Sequence, residues 1–178
     1  MCIRDRDMSG LEGDEKINDS HPIFVRKVFD VASKLTDAKL EIRDFNIAFG
    51  GKKADGMYQL IKHLKNTGVR VDAVGFQCHL NAGINYNYEN LRKNILRFID
   101  LGVEVYITEL DVGLNLWGEG GNHKKVSDVI KTDSDWQWFF EEQNKIYYNL
   151  VKTAKESGVK IISDWGFRDD IPLSLIHI

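Results

Sequence analysis

Cysteine is nearly absent: Cys2 and Cys78 are the only two in 178 residues. Cys2 falls in a terminal stretch set aside below, and a lone Cys78 forms no internal disulfide, so cysteine usage says little about compartment. Basic runs are missing as well, and 24 Lys and Arg against 27 Asp and Glu leave a net charge of −3. A mildly acidic chain without a basic stripe is a poor partner for nucleic acid. The apolar run at residues 173–178 is too short for a membrane span, so no membrane partner is expected. Internal repeats, low-complexity tracts and interdomain linkers do not occur.

The two ends have a shared peculiarity. The codons CTG TCT CTT ATA CAC ATC encode residues 173–178. The reverse complement of that DNA contains ATG TGT ATA AGA GAC AG, which encodes residues 1–6 with one base left open. Ends encoded by opposite strands of one short DNA look like transposase adapter from library preparation, and such segments are excluded from fold reasoning. The natural segment is therefore expected to span residues 7–172, cut at both ends by fragmentation, with any signal peptide upstream of it.

What is present is a regular alternation. Ser20 is placed to cap a helix starting near His21 and Pro22, with Phe24, Val28, Val31 and Leu35 along one face. A strand follows, Ala38-Lys39-Leu40-Glu41-Ile42-Arg43, ending at Asp44 and Asn46. Residues 53–67 read as a helix with Met57, Leu60, Ile61 and Leu64 inward, stopped by Gly68. The next strand, Val71-Asp72-Ala73-Val74-Gly75-Phe76, ends at Gln77 and His79. A helix from about Tyr88 turns Leu91, Ile95 and Phe98 inward and stops near Gly102. Then comes Val105-Tyr106-Ile107-Thr108-Glu109-Leu110-Asp111-Val112, an apolar strand delivering Glu109 at its C-terminal end, with Asp111 two residues on and so on the same side. Residues 113–133 form a long, glycine-rich, charged excursion that contains Trp117. Ser134 is read as the cap of a helix over 135–157, ended by Gly158, and the strand Val159-Lys160-Ile161-Ile162-Ser163-Asp164 leads to Trp165. Trp136 and Trp138, at the start of that helix, read as core or interface packing rather than a sugar platform.

This order implies an α/β protein with parallel strands and right-handed crossovers. Strands whose carboxyl ends carry the reactive side chains are the mark of a (β/α)-barrel enzyme, and the long loop at 113–133 lies on the face where its site belongs.

Gly75-Phe76-Gln77-Cys78-His79-Leu80, Ile107-Thr108-Glu109-Leu110-Asp111 and Trp165-Gly166-Phe167-Arg168-Asp169 resemble the last three strand motifs of glycoside hydrolase family 10, the endo-β-1,4-xylanases. The stretch from Ala38 to Asn46 resembles the strand before them. The resemblance covers nearly all of residues 7–172 and implies the C-terminal half of a (β/α)8 TIM barrel, about strands 5–8 with their helices. It further implies retaining hydrolysis of xylan or xylo-oligosaccharides, no metal or organic cofactor, a monomeric parent, and a secreted or periplasmic setting.

Retaining hydrolysis needs two carboxyl groups about 5–5.5 Å apart, a nucleophile and an acid/base. The resemblance makes Glu109 the nucleophile, which must be ionised and so needs hydrogen-bond donors. His79 resembles the family histidine that bonds it, and Asp111 is placed to hold that histidine in a useful tautomer. A carboxylate just after a strand also caps turns, which stays open for Asp111. Gln77 and Asn46 are implied as contacts to sugar hydroxyls, and Trp165 as the wall of the pocket for the sugar being cleaved. A strand-end amide bonded to backbone is the alternative for Gln77, and plain core packing the alternative for Trp165.

One departure matters. The family's acid/base glutamate lies in an Asn-Glu-Ala motif after the fourth strand, and that motif is absent from this sequence. Family spacing puts it a few residues before Met8. Two further readings stay open: a related retaining β-glycanase on the same barrel, and a non-catalytic sugar-binding remnant.

Overall fold

Amphipathic helices and short apolar strands alternate because each helix needs a sheet to bury its apolar stripe against. The computed structural model describes residues 22–116 and 124–166. Along them run α1 (Pro22–Leu35), β1 (Glu41–Asp44), α2 (Lys52–Asn66), β2 (Ala73–Phe76), β3 (His79–Asn81), α3 (Tyr88–Asp100), β4 (Glu104–Gly113), α4 (Val126–Val129), α5 (Asp133–Glu156) and β5 (Ile161–Asp164). All strand pairs are parallel. β1 lies beside β2, β2 beside β4, and β5 on the other edge of β4. β3 takes up the ladder on β4 where β2 leaves it: β2 pairs with Glu104 to Ile107 and β3 with Asp111 to Gly113.

One face of this sheet is covered by helices. Val25 and Phe29 of α1, Met57, Leu60, Ile61 and Leu64 of α2, Leu91, Ile95 and Phe98 of α3, and Ile146, Leu150 and Ala154 of α5 pack with Ile42, Val74, Phe76, Val105 and Ile107 in one core. Phe98 meets Phe76 edge-on at 5.7 Å. A smaller cluster of Ala82, Leu114, Leu116, Ile130 and Phe139, with Trp136 against it, fixes the end of β4 to the start of α5.

The stripes expected for α2 and α3 are buried as read. α1 departs in part from its expected face: Val28 packs partly buried against the core, but Val25 and Phe29 are the buried residues, whereas Val31 and Leu35 are 57% and 79% exposed. Two apolar stripes compete on this helix, and the one that meets α2 and the sheet is the shorter. The side chain of Phe24 and the proposed Ser20 cap lie outside the described residues. α5 is capped by Thr132, not Ser134. The Thr132 side chain accepts from the Asp135 amide, and Asp135 reaches back to the Thr132 amide, a reciprocal box, whereas Gln137, three residues after Ser134, is turned forward to Glu141 Oε1. The 113–133 excursion contains α4, and its Trp117 lies outside the described residues.

Candidate active site

The site is made by an irregularity in β4. Ile107 pairs with Phe76 and Ile162, but Asp111 pairs with His79 and Leu110 with Asp164, so β4 carries one extra residue relative to both neighbours. An inserted residue breaks the period-2 alternation of a strand. Val105 and Ile107 point into the helix-covered core, and after the bulge so do Leu110 and Val112. Glu109 and Asp111, which share parity with Val105 and Ile107, are thereby turned to the other face. The partner strand bends at the same level. Cys78, between β2 and β3, has a φ of 61°, and the carbonyls of Gln77 and Cys78 accept from the amides of Glu109 and Asp111.

Glu109 and Asp111 are only 6% and 5% exposed. Between them stands the His79 ring: Nε2 lies 3.2 Å from Glu109 Oε2 and Nδ1 lies 3.0 Å from Asp111 Oδ1. Each ring nitrogen thus faces a carboxyl oxygen, and the protonated ring is the form that donates to both. Burial works against that charge, but the hydrogen bond and charge of Asp111, then those of Glu109, outweigh it and hold the His79 pKa above its ordinary value. Asp111 is therefore engaged with His79 rather than capping a turn alone. The structure brings these three together as a row, and Trp165 joins it: its half-exposed ring meets His79 edge-on at 5.7 Å and 84°.

Gln77 is buried beside the row, and its backbone joins the Asp44 carbonyl on one side to the Glu109 amide on the other. Asn46 stands two residues past the C-terminal end of β1, exposed, with a φ of 55°. Cys78 offers no nucleophile: burial, followed by the charge of Asp111, pushes its thiol up to about 12. Among the described residues no group of His, Cys, Asp and Glu is arranged to hold a metal ion, and no helix is long and apolar enough to cross a membrane.

Two features escaped the sequence reading. Arg43 Nη1 lies 3.9 Å from Glu109 Oε1, and its Nη2 bonds Glu41 Oε2 at 3.0 Å. Asp44, fully buried, is paired with Lys53 of α2 at 2.9 Å. The one available signal for the first was the spacing of Glu41 and Arg43, two apart on a strand and so on one face.

A parallel sheet wrapped on one side by its crossover helices, with the Glu109–His79–Asp111 row at the strand ends, is the architecture of part of a (β/α)8 barrel. Comparison with known proteins makes the class specific. The family model for glycosyl hydrolase family 10 matches residues 17–172, and the chain belongs to that family. It is 34% identical over 151 residues to endo-1,4-beta-xylanase B of Thermotoga neapolitana, covering 83% of this chain and 38% of that protein. It is 32% identical over 154 residues to exoglucanase XynX of Acetivibrio thermocellus, covering 84% of this chain and 12% of that protein. Among solved structures, xylanase 10B from Thermotoga petrophila RKU-1 in complex with xylobiose superposes with a TM-score of 0.71 at 30% identity, covering 86% of this chain and 42% of that one. The chain thus spans less than half the length of these relatives.

Proposed function

We propose that this chain is the C-terminal half of the catalytic barrel of a retaining endo-1,4-β-xylanase. The observation that carries the reading is the Glu109–His79–Asp111 row, which sets a nearly buried carboxyl group with a ring nitrogen against one of its oxygens. In the proposed reaction Glu109 attacks the anomeric carbon of a xylosyl unit and forms a covalent glycosyl-enzyme as the glycosidic oxygen leaves with a proton. Water, giving its proton to the acid/base carboxylate that the first step left ionised, then displaces Glu109, and two inversions return the starting configuration. Gln77 and Asn46 would bind sugar hydroxyls, and Trp165 would wall the pocket beside His79. Two carboxyl groups suffice for this chemistry, so no metal or cofactor enters it.

The second carboxyl group, the acid/base glutamate, is assigned to sequence preceding Met8, and residues 1–6 and 173–178 to adapter rather than protein. The substrate assignment is supported by relatives named endo-xylanases and by the neighbour bound to xylobiose. The relative named exoglucanase favours a second reading, a related retaining β-glycanase on the same barrel, which a panel of xylan and glucan substrates separates.

The test compares the 178-residue chain with the full-length parent on xylan. The parent should release reducing sugar, the isolated chain none. Glu109→Ala in the parent should abolish turnover, and external azide should restore it with a product of inverted configuration. Xylan turnover by the isolated chain, lost in Glu109→Ala, would overturn the missing-donor assignment. Undiminished turnover by the parent variant would overturn the nucleophile.

A further inference from the structure

The two oxygens of Glu109 have different surroundings. Oε2 is taken by His79 at 3.2 Å. Oε1 faces the Arg43 guanidinium at 3.9 Å, too far for a hydrogen bond and close enough for strong Coulomb attraction. Arg43 is held back at that distance from behind. Its Nη2 donates to Glu41 Oε2 at 3.0 Å, and the Glu41 side chain is largely buried.

Gly75 makes room for this arrangement. It pairs with Arg43 on one side and with Tyr106 on the other. A Cβ there would fall 2.0 Å from Glu41 Oε1, 2.8 Å from Arg43 Cβ and 2.9 Å from Thr108 Cγ2. The Glu41–Arg43 pair fills the space that any other residue at position 75 would take.

We propose that Arg43, tethered by Glu41, is a positioning residue for the nucleophile: it attracts Glu109 Oε1 without bonding it, leaving that oxygen's lone pair free to attack. The proposal rests on the reading of Glu109 as the nucleophile. The charged groups around the carboxylate are Arg43 and Glu41 from β1, His79 from β3 and Asp111 from β4, with Tyr106 and Glu104 farther down the same face of β4. On β5, Asp164 registers with Leu110, whose side chain is in the helix-covered core. Removing the Arg43 charge and releasing it from its tether therefore have opposite electrostatic signs at Glu109. A merely structural role would not separate them.

The experiment uses the full-length parent and aryl xylobiosides with good leaving groups, so that bond cleavage depends little on the proton donor. It records kcat, KM and the acid limb of the kcat/KM–pH profile, which reports ionisation of the free enzyme. Arg43→Met should move the acid limb up by up to about one pH unit, with KM within about twofold. Arg43→Lys should restore most of that shift. Glu41→Gln should move the acid limb down and lower kcat, because the freed guanidinium closes on Oε1. Acid limbs that stay put in both Arg43→Met and Glu41→Gln would overturn the proposal. So would a rise in KM alone in Arg43→Met, which would make Arg43 a sugar contact. Glu109→Ala in the same assay tests the nucleophile separately, so its failure is distinguishable from that of Arg43.

Discussion

Replacing His79 by Gln is the sharpest probe of the row at the strand ends. The His79 ring lies 3.2 Å from Glu109 and 3.0 Å from Asp111, both nearly buried, and its raised pKa favours the protonated form that donates to both. A glutamine amide is neutral and, at similar length, reaches only one of the two carboxylates with an N–H. The substitution therefore removes at least one charge-assisted hydrogen bond, worth about 1.5–3 kcal/mol, and leaves two carboxylates close together with no cation between them. Taking about 2–3 kcal/mol as the loss at the nucleophile, kcat/KM in the full-length parent should fall about 30- to 150-fold. The pH dependence carries a sign. The His79 pKa is raised in the folded protein, so the ring's contribution to stability is fully present below the unfolded value of about 6.5 and is lost as pH rises through the higher folded value. The stability gap between wild type and His79→Gln should accordingly be widest in mild acid and narrow above neutrality. NMR titration of the ring reads the folded value directly. A ring that titrates at or below 6.5, or a variant within threefold of wild-type kcat/KM, would refute the reasoning.

Two further outcomes follow from the fold. Lys53→Met strips the partner from fully buried Asp44 and should cost about 3–5 kcal/mol near neutral pH in urea unfolding of the parent. Burial, opposed by the bonds from Lys53 and Phe45, raises the Asp44 pKa above its ordinary value, so the cost should shrink as pH falls and the carboxylate takes up its proton; a pH-independent cost would refute this. The isolated 178-residue chain should self-associate, since among the described residues β1 and β5 each pair along one edge only and Ile161 and Ile162 are exposed. Sedimentation of a monomer with a sharp two-state melt would argue against that.

Much of this molecule was legible in the sequence, for local reasons. α2 and α3 carry single apolar stripes, and a single stripe leaves one way to face a sheet. α1 carries two, and only its tertiary neighbours choose Val25 and Phe29 over Val31 and Leu35. Thr132 lost to Ser134 as the expected cap because the deciding bond is the returning carboxylate of Asp135, three residues on. In the site, Glu109, His79 and Asp111 lie inside two short motifs and could be placed together before any coordinates. Arg43 could not. Its link to Glu109 spans β1 and β4 across an intervening strand, and it depends on Gly75 being the residue between them.

The extra residue in β4 joins these observations. In an unbroken strand of this same sequence, Glu109 would keep the parity of Val105 and Ile107 and face the helix-covered core. An ionised carboxylate there, with no donor and no cation, would cost several kcal/mol or become protonated, and a protonated carboxyl is no nucleophile. The bulge turns the same side chain to the face where His79 donates to one oxygen and Arg43 confronts the other. It does so while returning Leu110 and Val112 to the core, so one inserted residue serves both packing and the site. The functional carboxylate sits where the alternation breaks because, on a strand this apolar, that break is what brings it to the polar face.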